Sequence, residues 1–153
     1  MSTDGGGGHR RPPVEREFSA GGVVFRDGEC IVIVPTRRAA DGSKVLALPK
    51  GHPDGHESAA DAALREVREE TGVEAVLVDK LGDIRYWYMR GGRRIAKVVS
   101  FFLLEYVAGE LDDHDHEVER AEWMALGEAA RRLTYKGERD MAAAALSRTG
   151  KPQ

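Results

Sequence analysis

The stretch Leu64-Arg65-Glu66-Val67-Arg68-Glu69-Glu70-Thr71-Gly72 gathers three carboxylates within five positions and places no lysine among them. At about 100° per residue, Ala60, Ala63, Leu64, Val67 and Thr71 fall on one stripe of a helix, the expected core face. Glu66, Glu69 and Glu70 fall on the adjoining stripe. Asp61, Arg65 and Arg68 lie on the remaining side, where Asp61 and Arg65 are spaced to pair at i, i+4. A solvated acidic surface is one reading. Against it, Glu66 and Glu70 are like charges at i, i+4, which costs roughly a few tenths of a kcal/mol unless a cation answers them. The carboxylates also border the core stripe rather than pointing away from it. A hard divalent cation with oxygen ligands answers both costs.

The loop ahead of the helix supplies Gly51 and Gly55, which permit a tight path, and Glu57 just before the helix start. Gly51, Glu57, Arg65-Glu66-Val67, Glu69-Glu70 and Gly72-Val73 resemble the box of the Nudix hydrolases at every defined position across residues 51–73. That resemblance implies hydrolysis of a nucleoside diphosphate linked to another moiety, with magnesium or manganese as cofactor. It implies that Glu66, Glu69 and Glu70 bind metal, with Glu66 and Glu69 at the centre of catalysis. It also implies that Glu57 and Arg65 position the loop against the helix, and that the carbonyl of Lys50 is a further metal ligand. The chemistry is coherent: a pyrophosphate carries charge that glutamates alone repel, and divalent cations offset it and make a water acidic enough to attack phosphorus.

Many relatives carry another glutamate six residues ahead of a tryptophan, and here Glu117 precedes Trp123 by that spacing. Glu117 is expected to be a metal ligand or general base, with Glu119 as its rival. Asp112, Asp113, His114, Asp115 and His116 read as a solvated loop. Pro49-Lys50-Gly51, Tyr86-Trp87-Tyr88, Lys97 and Tyr135-Lys136 resemble the diadenosine polyphosphate hydrolase branch. The implied substrate-binding set is Lys50, Tyr86, Tyr88, Lys97, Tyr135 and Lys136. Aromatic faces stack adenine and lysines follow a phosphate chain. Tyr86 and Tyr88 share one strand face and could instead be core; Arg37 and Arg38 either hold phosphate or form a solvated turn. Nucleoside triphosphates, ADP-ribose or inositol pyrophosphates are alternative substrates, although the inositol branch usually opens its box with a double glycine where this chain has Gly51-His52. A nucleotide-sensing module without catalysis usually loses box glutamates, which this chain keeps.

These residues need a frame. A chain of 153 residues fits one domain with a real core, and 41% hydrophobic with 32% charged residues is ordinary globular composition. A net charge of −3 gives no general attraction to nucleic acid or anionic lipid, so the expected partner is a small nucleotide substrate. Residues 1–15 are Gly-, Arg- and Pro-rich and read as a flexible tail, in which His9-Arg10-Arg11 could touch an anion. Residues 16–149 form the expected Nudix-type domain. Residues 18–25 and 30–36 read as strands joined by the turn Arg26-Asp27-Gly28-Glu29, and 44–51 as another short strand. Ser58 caps the helix, with Asp61 as the return acid of a capping box, and Gly72 ends it. Residues 74–82, 83–89 and 95–107 are apolar stretches, the last two separated by a turn at 90–93; 121–126 reads as a last strand, and 127–134 and 137–148 as helices. With the resemblance, this order implies an α+β fold, a Nudix-type α/β/α sandwich around a mixed β-sheet.

Cys30 is the single cysteine and lies in an apolar run, so it reads as a small buried residue. The absence of any possible internal disulfide fits a reducing cytoplasm. The first residues lack the apolar run of a signal peptide, and no stretch approaches the length of a membrane span.

Overall fold

The structure is a computed structural model and describes residues 14–150. Asp27 (φ 52°) and Gly28 (φ 81°) both adopt the left-handed region, the signature of the tight turn expected between the first two strands. That turn joins β1 (Glu15–Arg26) to β2 (Glu29–Pro35). The short β3 (Lys50–Gly51) precedes α1 (Ala59–Thr71), and two long strands follow, β4 (Val73–Arg90) and β5 (Arg93–Gly109). A 3₁₀ turn (Leu111–Asp113) leads to β6 (Val118–Ala125), α2 (Leu126–Arg132) and α3 (Lys136–Thr149).

The strands form one mixed sheet in the order β4-β5-β1-β2-β6, with β3 attached to β1. The β1–β5 pair is parallel and the others are antiparallel. Along β1 alternate side chains go to opposite faces. Ala20 and Val24 join Ile31, Phe102 and Leu104 beneath Ala62, Ala63 and Val67 of α1. Val23 joins Cys30, Val32, Phe101 and Leu103 beneath Leu126, Ala129, Leu133, Ala142 and Ala145 of α2 and α3. The α+β sandwich around a mixed sheet is therefore the fold observed. Burial pushes the Cys30 thiol up to about 12, so it is inert, as its apolar surroundings dictate.

Several expectations are corrected. Residues 74–82 and 83–89 lie within one strand of 18 residues and are not two elements. The register shifts at Glu74/Ala75, Leu77/Asp79 and Lys80/Gly82, where bulges bend the strand without ending its pairing to β5. Residues 44–51 are mostly not a strand. Lys44 and Ala47 make isolated bridges to Arg38 and Ile33, and only Lys50–Gly51 pairs with β1. The segment divides its main-chain groups: Ala47 exchanges both bonds with Ile33 of β2, while Thr134 N–H donates to the Leu46 carbonyl at 2.9 Å and Leu46 N–H donates to Thr134 Oγ1 at 2.8 Å. The last strand starts at Val118, earlier than expected. β1 begins at Glu15, one residue inside the expected tail; His9-Arg10-Arg11 lie outside the described residues. Among the described residues no helix is long and apolar enough to cross a membrane.

Candidate active site

Helix α1 starts at Ser58, whose Oγ accepts the Asp61 N–H at 3.0 Å, and ends at Gly72, which takes φ 79° and donates its N–H to the Arg68 carbonyl. The return bond from Asp61 is not made among the described residues, so the capping box is half formed. Val67 and Thr71 are buried, which fixes the rotation of the helix and brings the three glutamates to the edge of the sheet near β3.

Arg65 does not pair with Asp61 as its spacing suggested. It turns into the acidic stripe. Nε donates to Glu57 Oε2 at 2.8 Å, and Nη2 donates to Glu57 Oε1 at 3.0 Å and to the His52 carbonyl at 2.8 Å. Nη1 lies 3.2 Å from both Glu66 and Glu69. A planar guanidinium gains more from this fork-to-fork geometry than from an exposed i, i+4 pair. Arg65 and the Asp54 N–H hold the Glu57 carboxyl down at about 2. The loop is thus tied to α1 at two residues of the box.

On the other side of the loop, the Lys50 N–H donates to Glu70 Oε1 at 2.9 Å. Burial pushes the Glu70 carboxyl up to about 7, with the charges of Glu66 and Asp115 adding to the shift and Lys50 opposing it. Glu66 is also raised, chiefly by burial. Among the described residues no three such side chains converge into a closed cation cage, because Glu66 and Glu69 lean on Arg65 and Glu70 on Lys50. The donors nevertheless fit magnesium or manganese: all are oxygen, and two are half-buried carboxylates whose ionisation is costly until a cation arrives.

The acidic loop is closer to these carboxylates than a solvated run would be. Asp115 N–H donates to the Glu69 carbonyl at 2.9 Å, and the Asp115 charge acts on Glu70. Sequence reasoning missed Asp115, since nothing in its local pattern separates it from Asp112 or Asp113. Glu117 is anchored by its main chain: its N–H donates to Asp115 Oδ1 at 3.0 Å, and its carbonyl accepts from Thr36 N at 3.0 Å and Oγ1 at 3.2 Å. Its side chain is exposed and has no partner among the described residues. Glu119 is engaged, 3.0 Å from Lys44 and 3.5 Å from Arg38, and Lys44 holds its carboxyl below the ordinary value. Arg38 is therefore a tied turn residue.

The tyrosine strand is not core. Tyr86 is 45% exposed, and its ring lies 6.2 Å from that of Tyr88, tilted by 39°. Its hydroxyl is pushed up by burial and senses the charges of Arg37 and Glu138, so these groups share its surroundings. Tyr135 is also exposed. Tyr88 has a second job: its hydroxyl donates to Glu17 at 2.5 Å and accepts from Arg90 at 3.1 Å. Tyr88, then Arg90, holds Glu17 down at about 2. Lys97 is buried, donates to Ser19 Oγ at 2.7 Å and lies 3.6 Å from Glu17; burial is the main cause lowering its pKa. Lys50 Nζ lies 3.0 Å from Glu138, a buried residue that no sequence pattern singled out. Arg37, Leu48, Lys50 and Glu70 line one small hollow. Lys136 is not brought there: it is exposed and pairs with Asp140 at 2.9 Å on its own helix.

Comparison with known proteins bears on the fold and the family. The family described as NUDIX domain matches residues 15–145. A putative mutator protein MutT4 of Mycobacterium tuberculosis is 38% identical over 88% of this chain and 56% of its own length. An 8-oxo-(d)GTP phosphatase of Mycolicibacterium smegmatis is 34% identical over 61% of this chain and 27% of its own length. The chain thus spans about half of the first relative and about a quarter of the second. An asymmetrical bis(5'-nucleosyl)-tetraphosphatase of Mus musculus is 32% identical over 65% of this chain and 68% of its own length. Among solved structures, a NUDIX hydrolase from Nitrosomonas europaea superposes with a TM-score of 0.72 at 20% identity, covering 90% of this chain and 91% of that one. A binary complex of a C. elegans Ap4A hydrolase gives 0.65 at 18% identity, covering 88% and 98%. With the family matched across the whole sandwich and every box residue gathered around one loop and one helix, the chain belongs to the Nudix hydrolase family.

Proposed function

We propose that this protein is a divalent-cation-dependent pyrophosphohydrolase that cleaves dinucleoside polyphosphates, with diadenosine tetraphosphate or a longer homologue preferred over ADP-ribose and nucleoside triphosphates. The observation that carries the reading is the exposed Tyr86, with Arg37 and Glu138 acting on its hydroxyl and Arg37 sharing a hollow with Lys50 and Glu70. A base can stack on the ring while the phosphates reach the carboxylates.

Glu66, Glu69, Glu70 and the Lys50 carbonyl would hold magnesium or manganese. When bound, the cation supplies the charge that offsets the phosphates and makes water a better nucleophile. The chain's own groups do the rest. Arg65 and Glu57 fix the loop that follows Lys50 and Gly51. Water attacks phosphorus, the bond to the bridging oxygen breaks, and the leaving phosphate departs. Glu117, whose carboxylate is uncommitted, takes the proton from the attacking water. Tyr86 and Tyr135 hold bases, and Arg37 follows the phosphate chain, with the charge of the buried Lys97 nearby. A single cysteine, which can form no internal disulfide, fits a cytoplasmic setting.

A second reading, cleavage of a nucleoside triphosphate with a damaged base, is supported by the name of the 8-oxo-(d)GTP phosphatase relative of Mycolicibacterium smegmatis. Chromatography of products from diadenosine tetraphosphate and pentaphosphate, ADP-ribose, dGTP and 8-oxo-dGTP, each with Mg²⁺ or Mn²⁺, separates the readings. The highest kcat/KM is expected for a diadenosine polyphosphate. A higher value for 8-oxo-dGTP would overturn that in favour of the second reading.

A further inference from the structure

Lys50 faces two ways. Its N–H is held by Glu70 of α1, while its ammonium lies 3.0 Å from Oε2 of Glu138 on α3. Glu138 is 4% exposed, and its Oε1 accepts the Leu48 N–H at 2.8 Å. One buried carboxylate therefore anchors both the main chain two residues before Lys50 and the Lys50 side chain. A carboxylate this buried keeps its place because both oxygens have partners. The ammonium is near enough for its charge to act on Glu70. Released from Glu138, it would be drawn toward the acidic face of Glu66 and Glu70 and would meet there the charge a divalent cation needs.

We propose that Glu138 is a positioning residue: it parks the Lys50 ammonium against α3 and so leaves the carboxylates of Glu66 and Glu70 to a divalent cation. It acts through Lys50 and touches neither cation nor substrate. The inference rests on the cation-dependent reading above, but its test needs no substrate.

The test is Mn²⁺ titration by calorimetry on the full chain, its Glu138→Gln and Lys50→Met variants, and the double variant. Gln keeps the volume and an acceptor for the Leu48 N–H, and melting temperatures check that each variant is folded. Glu138→Gln is expected to weaken Mn²⁺ binding about 10-fold, within the usual range for coupled neighbours. Lys50→Met is expected to bind at least as tightly as the parent, and the double variant to match Lys50→Met. If Glu138→Gln does not fold, Glu138→Asp, too short to hold both partners, takes its place with the same expectation. Unchanged Mn²⁺ affinity in the Glu138 variant, or an equal loss with and without Lys50, overturns this inference alone. A parent protein that binds no Mn²⁺ overturns the cation-dependent reading and this inference with it.

Discussion

Gly51 lies directly against the carboxylate of Glu66: a Cβ added at Gly51 would come 2.1 Å from Glu66 Cδ and 2.2 and 2.4 Å from its oxygens. The requirement is one of space, because even a methyl group would displace the carboxylate. Gly51→Ala is expected to lose at least about 10²-fold in kcat, the scale of a misplaced catalytic group, with circular dichroism unchanged. Near-parental turnover would show that Glu66 is free to move without consequence.

Glu70 ties pH to stability. Its carboxyl is raised from 4.5 to about 7, so between those values the folded chain holds a proton that the unfolded chain releases. The Glu70 contribution to stability without metal is therefore fully present below about 4.5 and is lost as pH rises from there through about 7. Glu70→Gln keeps an acceptor for the Lys50 N–H and removes the titration. In metal-free buffer its melting temperature is expected to vary less between pH 5 and pH 8 than that of the parent, while its Mg²⁺-dependent activity is largely lost. An unaltered pH profile assigns the dependence to other groups.

Glu69 is more exposed than its neighbours and contributes little to packing. Glu69→Gln is expected to abolish most turnover at saturating Mg²⁺ while leaving the melting temperature within about 1–2 °C, since surface changes cost little. If the variant unfolds, the residue has a structural role instead.

Glu117 and Glu119 are separated by their partners. Glu117→Gln is expected to lower kcat by roughly 10²-fold or more, as for a general base. Glu119→Gln breaks only surface pairs with Lys44 and Arg38 and should leave kcat within about 2-fold. Steady-state kinetics at saturating metal decides, and a reversed ranking moves the base to Glu119.

The tyrosines bear on the substrate. Tyr86→Ala and Tyr135→Ala are each expected to cost about 1–3 kcal/mol of substrate binding, read mainly as a higher KM. Tyr88→Phe removes the hydroxyl from Glu17 and should perturb stability more than KM. Indifference of KM to both alanine changes would remove the stacking argument.

The sequence by itself determined the box, the helix and the fold class. Gly51, Glu57, Glu66, Glu69, Glu70 and Gly72 are legible because their roles depend on spacing along one loop and one helix, where 3.6 residues per turn sets which groups are neighbours. The hairpin at Asp27-Gly28 is legible for the same local reason. Only the tertiary structure decided which partner each charged group takes. Arg65 had Asp61 at helical spacing and chose Glu57, because the folded loop offers both carboxylate oxygens at once. Glu138, 88 residues beyond Lys50, and Asp115, 45 beyond Glu70, reach the site through the sheet and the α2–α3 connection, and no local pattern distinguishes them from solvated acids. The merging of 74–89 into one strand and the division of 44–49 between the sheet and the α2–α3 connection have the same origin. A main-chain donor pairs with whatever acceptor packing brings within reach, and that depends on contacts distant in sequence.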